Sequence, residues 1–300
     1  MQRIGIDLGG TKTEVAVVDP SGQTRFSERA PTPIAYSDKI RLIAGLVEKA
    51  GRSCGSDSLP VGVGHPGSLN PRTGLMRNAN STELNGHALN TDIEHAIGRP
   101  VRCANDANCF ALSEARDGAG RDAGSVFGVI IGTGVGGGIV INGELWEGGS
   151  RLGGEWGHTA LPWPAPDEVP GPACKCGLRG CLESWISGPA ISADHRRATG
   201  ADLAAEAIVA DAEAGDQAAR GTIDRFETRL ARGLATVINI VDPEIIVLGG
   251  GLSNIPELAE RVETRLAGHV FSDAMTTRVR PNVHGDSSGV RGAAWLWPLE

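Results

Sequence analysis

SVFGVIIGTGVGGGIVINGEL, residues 125–145, repeats the plan of RIGIDLGGTKTEVAVVD, residues 3–19, and that repetition decides the fold class. Each stretch is an alternating apolar run, then a glycine-rich turn, then a second alternating run, which is the signature of two strands joined by a tight connection. In the first copy PSGQ (20–23) supplies a turn and TRFSERA (24–30) a third strand, completing a β-meander. The second copy ends on Asn142-Gly143, a pair that favours a two-residue hairpin turn. Two similar β-turn-β halves imply an α/β chain of duplicated, two-domain architecture. We divide it at 1–117 plus 285–300 for a smaller N-terminal domain and 118–284 for a larger one.

Between and after the halves the periodicity turns helical. SDKIRLIAGLVEKAG (37–51) places Ile40, Ile43, Leu46, Val47 and Ala50 on one face, with Ser37 or Asp38 as N-cap and Gly51 as the stop. PVGVGHPG (60–67) reads as a short buried strand entering a Gly/Pro loop, and ANDANCFALSEARDG (104–118) as a loop followed by a helix. Helical stretches follow at 202–215 and 218–241; PEIIVLGGGLSN (243–254) is a buried strand opening onto glycines; IPELAERVETRLAG (255–268) and HGDSSGVRGAAWLW (284–297) are two more helices.

The chain has 300 residues, 40% of them hydrophobic, and a net charge of −8. That is enough apolar material for one large or two medium cores. An acidic chain with no Lys/Arg cluster and 4% aromatics is a poor nucleic-acid binder, because such binding displaces counterions with a cationic surface. No apolar run approaches the ~18 residues of a membrane span, and the chain opens on RIGIDLGG without a leader-like pattern, so the expected location is the cytoplasm and the expected partner a small molecule. Cys54, Cys103 and Cys109 are scattered and read as small buried residues rather than a disulfide framework.

Three glycine clusters stand at strand ends: Gly9-Gly10-Thr11-Lys12, the run Gly132-Thr133-Gly134 through Gly136, Gly137 and Gly138, and Gly249-Gly250-Gly251. Glycine lets backbone N–H groups approach a phosphate without a Cβ in the way. A tight hairpin explains any one cluster equally well; three of one kind favour phosphate. Gly132-x-Gly134-x-x-Gly137 matches the dinucleotide fingerprint as a string, but GGIVING (137–143) continues as a strand where that motif needs a helix, and no P-loop pattern occurs. Asp7 points away from the apolar face as its strand enters the turn, where a carboxylate could hold hydrated Mg²⁺ or simply bond to its own turn. Asn105 and Asp106 follow the strand PVRCA (100–104), a favoured place for catalytic groups in α/β folds. Asp106 is the candidate base for a phosphoryl acceptor, against the alternative that the pair only caps a helix.

CKCGLRGC (174–181) puts three thiols in one Gly-interrupted stretch. With His158, the one histidine close upstream, Cys174, Cys176 and Cys181 make a Cys₃His set for a structural Zn²⁺. Pinning both segments to one ion would bring Glu155 and Glu183 towards each other, and two ionised acceptors suit a polyhydroxyl ligand.

DLGGTKTE (7–14), NDANC (105–109), GTGVGGG (132–138), GEWGH (154–158) and CKCGLRGCLES (174–184), in that order, resemble the ROK family of bacterial sugar kinases and repressors, across essentially the whole chain. NSTELNGHALN (80–90), GEWGHTALPWP (154–164) and HGDSSGVRGAAWLWP (284–298) look most like the ROK fructokinases; ROK glucokinases and N-acetylhexosamine kinases usually have Phe in place of Trp156. The resemblance implies a two-domain actin-like ATPase (ribonuclease H-like) fold with a cleft between its domains, a homodimer, and ATP- and Mg²⁺-dependent phosphorylation of a hexose, D-fructose to D-fructose 6-phosphate. It implies Asp106 as base, and Asn105, Asp106, Glu155, His158, Glu183 and Gly67 along the sugar. Asp7 to Lys12 and Thr133 to Gly138 would hold phosphates, Gly249 to Gly251 would lie near the nucleoside, and His158, Cys174, Cys176 and Cys181 would hold zinc. The rivals are glucokinase, mannokinase or N-acetylhexosamine kinase activity and, from another class, a ROK repressor, for whose helix-turn-helix there is no room ahead of Arg3. The segment ALPWPAPDEVPGP (160–172) departs from the pattern, and its role does not follow from the sequence.

Overall fold

A computed structural model describes residues 1–298. The first half contains β1 (Arg3–Leu8), β2 (Lys12–Val18), β3 (Thr24–Pro31), α1 (Tyr36–Ser53), β4 (Val61–His65), the short pair β5 (Ser68–Leu69) and β6 (Met76–Arg77), α2 (Leu89–Ile97), β7 (Val101–Asn105) and α3 (Asp106–Asp117). The second contains β8 (Ser125–Ile131), β9 (Val135–Ile141), β10 (Glu144–Leu145), α4 (Glu183–Ile186), α5 (Gly188–Thr199), α6 (Ala205–Ala214), α7 (Gln217–Val241), β11 (Ile245–Gly249), α8 (Leu258–Leu266), β12 (Arg278–Pro281) and α9 (Ser288–Trp295).

The repetition seen in sequence is a repetition of sheets. One sheet has the order β3-β2-β1-β4-β7 and the other β10-β9-β8-β11-β12. In each, three antiparallel strands of a meander are extended by two parallel strands added beside the first. Parallel addition needs crossovers, and these are helical, which makes the chain α/β.

Two compact units divide the chain: Met1–Asp122, Gly138–Gly153 and the part from Val283 make the first, Ala123–Gly137 and Gly154–Asn282 the second. Segment 138–153, which the sequence division left in the larger domain, packs with the first unit because Gly138 lies against Ala107, Asn108 and Ala111 of α3.

Strand β1 shows how the first unit is layered. Ile4, Ile6 and Leu8 face a core shared with Val15, Val17, Ile43, Leu46, Val61 and Val63, each such side chain contributing about 1.5–3 kcal/mol on burial. Arg3, Gly5 and Asp7 face the other way, onto α9. A Cβ on Gly5 would strike the backbone of Val290, and one on Gly289 would come within 2.9 Å of the Asp7 carboxylate. Arg3 closes this face by donating from Nε to the Trp297 carbonyl at 3.1 Å.

Helix α1 starts two residues earlier than a Ser37 cap and three earlier than an Asp38 cap would place it: Ala35 is the N-cap, no side chain caps it, and the helix passes through Gly51 to Ser53. Helix α3 begins at Asp106 itself, with no loop after β7. Of the three scattered cysteines only Cys109 is buried; Cys54 and Cys103 are partly exposed. Among the described residues no helix is long and apolar enough to cross a membrane.

Candidate active site

In the first unit β1, β4 and β7 run parallel, so their carboxyl ends lie along one edge, with Asp7 beside Gly64 and His65 beside Asn105. The turn after β1 is closed by Gly9 N–H donating to the Lys12 carbonyl at 3.1 Å. A Cβ on Gly9 would sit 2.6 Å from that same oxygen. Thr32 Oγ1 donates to the Gly9 carbonyl at 2.9 Å and holds the turn from β3's side. Gly10 lies under Ser81 Oγ, and Thr11 and Lys12 are exposed at the tip.

Asn105 and Asp106 arrive here because β7 passes straight into α3. The Ala107 N–H is shared by the two side chains, at 2.9 Å from Asn105 Oδ1 and 2.8 Å from Asp106 Oδ1. Asn105 is therefore the N-cap expected of such a pair, and its Nδ2 donates to the Gly67 carbonyl at 3.0 Å. Gly67 has φ +75°, and any side chain there would collide with Arg77 and Ala79. Asp106 is exposed at the first position of α3, where the helix end favours its negative charge. Burial first, and then the carboxylates of Asp106 and Glu14, push Asp7 up to about 7, with Lys12 and Arg29 pulling the other way. The structure thus brings Asp7, Gly67, Asn105 and Asp106 to one strand edge.

In the second unit β8 and β11 are parallel, with Gly249 beside Ile130, so the turns that follow them are neighbours. Gly132 N–H donates to the Gly134 carbonyl at 2.9 Å. Gly250 has φ +83° and packs on the Ile131 backbone. Thr133, Gly250 and Gly251 are exposed. Gly136, Gly137 and Gly138 lie within β9, as the strand reading of GGIVING requires. Tight packing accounts for two of them: Gly137 against Trp156, Gly154 and Phe127, and Gly138 against α3.

The cysteine stretch is a knuckle bonded to the strand-like segment before it. Leu161 N–H donates to Gly180 and Leu182 N–H to Thr159, both at 2.9 Å. Gly177 and Gly180 take φ +91° and +73°, conformations a glycine accepts without strain. The ligand atoms of His158, Cys174, Cys176 and Cys181 all lie within 4.8 Å of one another. Cys174 Sγ is 3.5 Å from His158 Nδ1 and Cys176 Sγ is 3.6 Å from Cys181 Sγ. Zn–S and Zn–N bonds of about 2.3 and 2.0 Å imply tetrahedral edges of about 3.8 and 3.5 Å, so the set fits one such ion.

The two glutamates differ. Glu155 is exposed at the head of the 156–158 turn, whereas Glu183 accepts from Val135 N–H at 3.0 Å and meets Lys175 Nζ at 3.2 Å. Glu183 and Lys175 tie the knuckle to the glycine turn, a link that no spacing in the sequence signals. Trp156 is buried, donates from Nε1 to the Gly136 carbonyl at 3.0 Å and meets Phe127 edge-on. Segment 160–172 is fastened by Glu168, whose carboxylate accepts from Arg229 at 2.8 Å and Arg232 at 2.7 Å. Burial opposes ionisation of Glu168, and the two guanidiniums and the Ala165 N–H outweigh it and lower its pKa.

Asp7 carries a pH signature. A carboxyl whose pKa rises on folding binds its proton more tightly in the native state, so its contribution is full below about pH 4 and is lost as pH climbs through about 7. The loss has a ceiling of about 4 kcal/mol, reduced by solvent at this partly exposed position. Urea unfolding in magnesium-free buffer at pH 5 and pH 8 should show Asp7→Asn gaining stability relative to the parent at the higher pH; equal pH slopes in the two proteins would refute the assignment.

The chain is 39% identical over 297 residues to an N-acetyl-D-glucosamine kinase of Yersinia pseudotuberculosis, covering 97% of both chains. Among solved structures it resembles the ROK hexokinase of Thermus thermophilus with a TM-score of 0.88 and 32% identity, covering 99% of this chain and 97% of that one. It also resembles a ROK glucokinase of Streptomyces griseus, solved with glucose and AMPPNP, with a TM-score of 0.80 and 28% identity over 98% of each. The ROK family pattern matches residues 3–300, and the chain belongs to the ROK family.

Proposed function

We propose that this chain is an ATP-dependent hexose kinase that converts D-fructose to D-fructose 6-phosphate. Phosphoryl transfer is supported by the likeness to kinases over nearly the whole chain and by exposed glycine turns at the carboxyl ends of parallel strands in both units. Asp106 removes the proton of the attacking hydroxyl, whose oxygen bonds to the γ-phosphorus as ADP leaves. Its position at the start of α3 leaves the carboxylate exposed. Asn105 is held between α3 and the Gly67 loop, so it can orient a sugar hydroxyl. The Gly9–Lys12 turn, and Thr133 with the Gly132–Gly134 turn, serve the phosphates, Lys12 adding charge; Gly249–Gly251 serves the nucleoside end. Glu155, His158 and Glu183 complete the sugar contacts in this reading.

Asp7 would hold magnesium, which when bound neutralises phosphate charge. The fit rests on a carboxyl whose neighbours Asp106 and Glu14 are themselves acidic, an arrangement that a divalent cation relieves. The Cys₃His set would hold zinc as a staple, since four protein ligands leave no position open for water.

The observation carrying the choice of fructose is the fructokinase-like NSTELNG segment, which borders the turn after β1 and the Gly67 loop: Ser81 covers Gly10, and Asn85 bonds Ala79 beside Gly67. N-acetyl-D-glucosamine is the second reading, favoured by the 39% identical relative. The Trp156 criterion counts for less than its sequence suggests, because the indole is buried against β8 and β9.

Asp106→Asn should lower kcat by about 10²–10⁴-fold with little change in sugar affinity; near-parental turnover would remove Asp106 from the role of base. Comparing kcat/KM for fructose, N-acetylglucosamine, glucose and mannose decides the substrate, and a preference of more than about tenfold for any sugar other than fructose, ~1.4 kcal/mol in transition-state binding, overturns the first reading. Chelating zinc should reduce melting temperature and turnover together, and full retention of both would make the knuckle incidental.

A further inference from the structure

A cavity of about 560 Å³ in the first unit is walled by residues other than Asp7, Gly67, Asn105 and Asp106. Its walls come from β7 (Val101 to Ala104), from Leu112 and Arg116 of α3, from the Gly143–Leu145 turn and strand, and from Trp295 of α9. Three guanidiniums line it. Arg102 donates to the Leu296 carbonyl at 2.8 Å and lies over the Trp297 ring. Arg151 faces Glu147 at 3.9 Å. Arg116 differs: its Nε is buried, and no acceptor among the described residues reaches it. Asn90, on another wall, has a buried Oδ1 without a donor.

Arg116 and Asn90 thus line one cavity with no side-chain hydrogen bond or ion pair among the described residues, and together they define complementary chemistry. The first calls for an oxyanion, since Arg binds carboxylate and phosphate through charge-assisted bonds. The second calls for an O–H or N–H donor. The buried faces of Leu112, Val101 and Trp295 supply an apolar surface for a carbon frame. Glu144, the remaining acid of the wall, is exposed to water and so opposes an anion weakly.

We propose that this cavity binds a small hydroxylated oxyanion, a phosphate or carboxylate on a short carbon frame, with Arg116 on the anion and Asn90 on a hydroxyl. β7 and α3 form its walls, and these are the two elements whose junction carries Asn105 and Asp106, so the ligand sits against the support of the candidate base without touching it.

The test is calorimetric titration of the full-length protein with 3-phosphoglycerate, citrate and inorganic phosphate. At least one should bind with a Kd of about 1 mM or tighter, and Arg116→Ala should weaken it at least tenfold while leaving melting temperature and basal turnover unchanged. Binding of phosphate without citrate assigns the anion as a phosphate, and the converse as a carboxylate. Asn90→Ala should weaken the hydroxylated probes and spare inorganic phosphate. No binding of any probe at about 10 mM, or equal affinities in parent and Arg116→Ala, overturns the proposal, and an unchanged profile in Asn90→Ala overturns the hydroxyl contact.

Discussion

Close approach of α9 to β1, β4 and α3 is the constraint on which the first unit depends. It is possible because the facing positions lack side chains: Gly5 meets Val290, Gly62 meets Ala293, and Gly292 meets the Cys109 backbone. Helices and strands ordinarily stand about 10 Å apart because side chains separate them. Here backbone rests on backbone, and any Cβ would force the layers open. The last helix of the chain thereby covers the face of β1 that carries Asp7, and its burial of that carboxyl is part of why Asp7 holds its proton to about 7.

Polar bonds lock the same contact. Glu114, fully buried in α3, accepts from Ala119 N–H at 3.0 Å, from Val283 and His284 N–H, and from Ser288 Oγ at 3.0 Å. A carboxylate in such a position is tolerable only when its lone pairs are met, so the chain entering α9 has one place to go. Arg291 extends the lock to Asp117 and to the Gly22 carbonyl. In the second unit the buried group of Glu168, Arg229, Arg232 and Asp194 does comparable work, seating segment 160–172 on α7 and α5. That arrangement accounts for a Pro-rich stretch whose sequence alone suggests no role.

Much of the site was legible because its parts are local. A glycine turn between two alternating runs, an Asn-Asp pair after a strand and a Cys-x-Cys-Gly knuckle are each written within a few residues, and the structure has tight turns at those glycines, a cap at Asn105 and the ligand atoms of His158, Cys174, Cys176 and Cys181 gathered within 4.8 Å of one another. The contacts that escaped are those between segments far apart in the chain. Glu183 reads as an acceptor beside a cysteine, and one of its carboxylate oxygens also accepts from Val135 N–H, 48 positions away. Trp156 reads as a mark of the fructokinases among their relatives, yet it is packed beneath β9. Gly289 reads as part of an Ala- and Trp-rich helix, yet it is what lets that helix reach Asp7.

The sequence by itself determined the strand periods of both meanders, their duplication and the clustering of Cys174, Cys176 and Cys181, because each of these rests on spacing within one segment. Tertiary structure alone decided that segment 138–153 packs with the first unit, that Asp7 and Asp106 share one strand edge, that Glu183 serves a glycine turn, and that Arg116 and Asn90 face one cavity. The reason is physical: local periodicity fixes which way a side chain points, but its partner is set by whichever distant surface the packing of glycines and buried ion pairs brings against it.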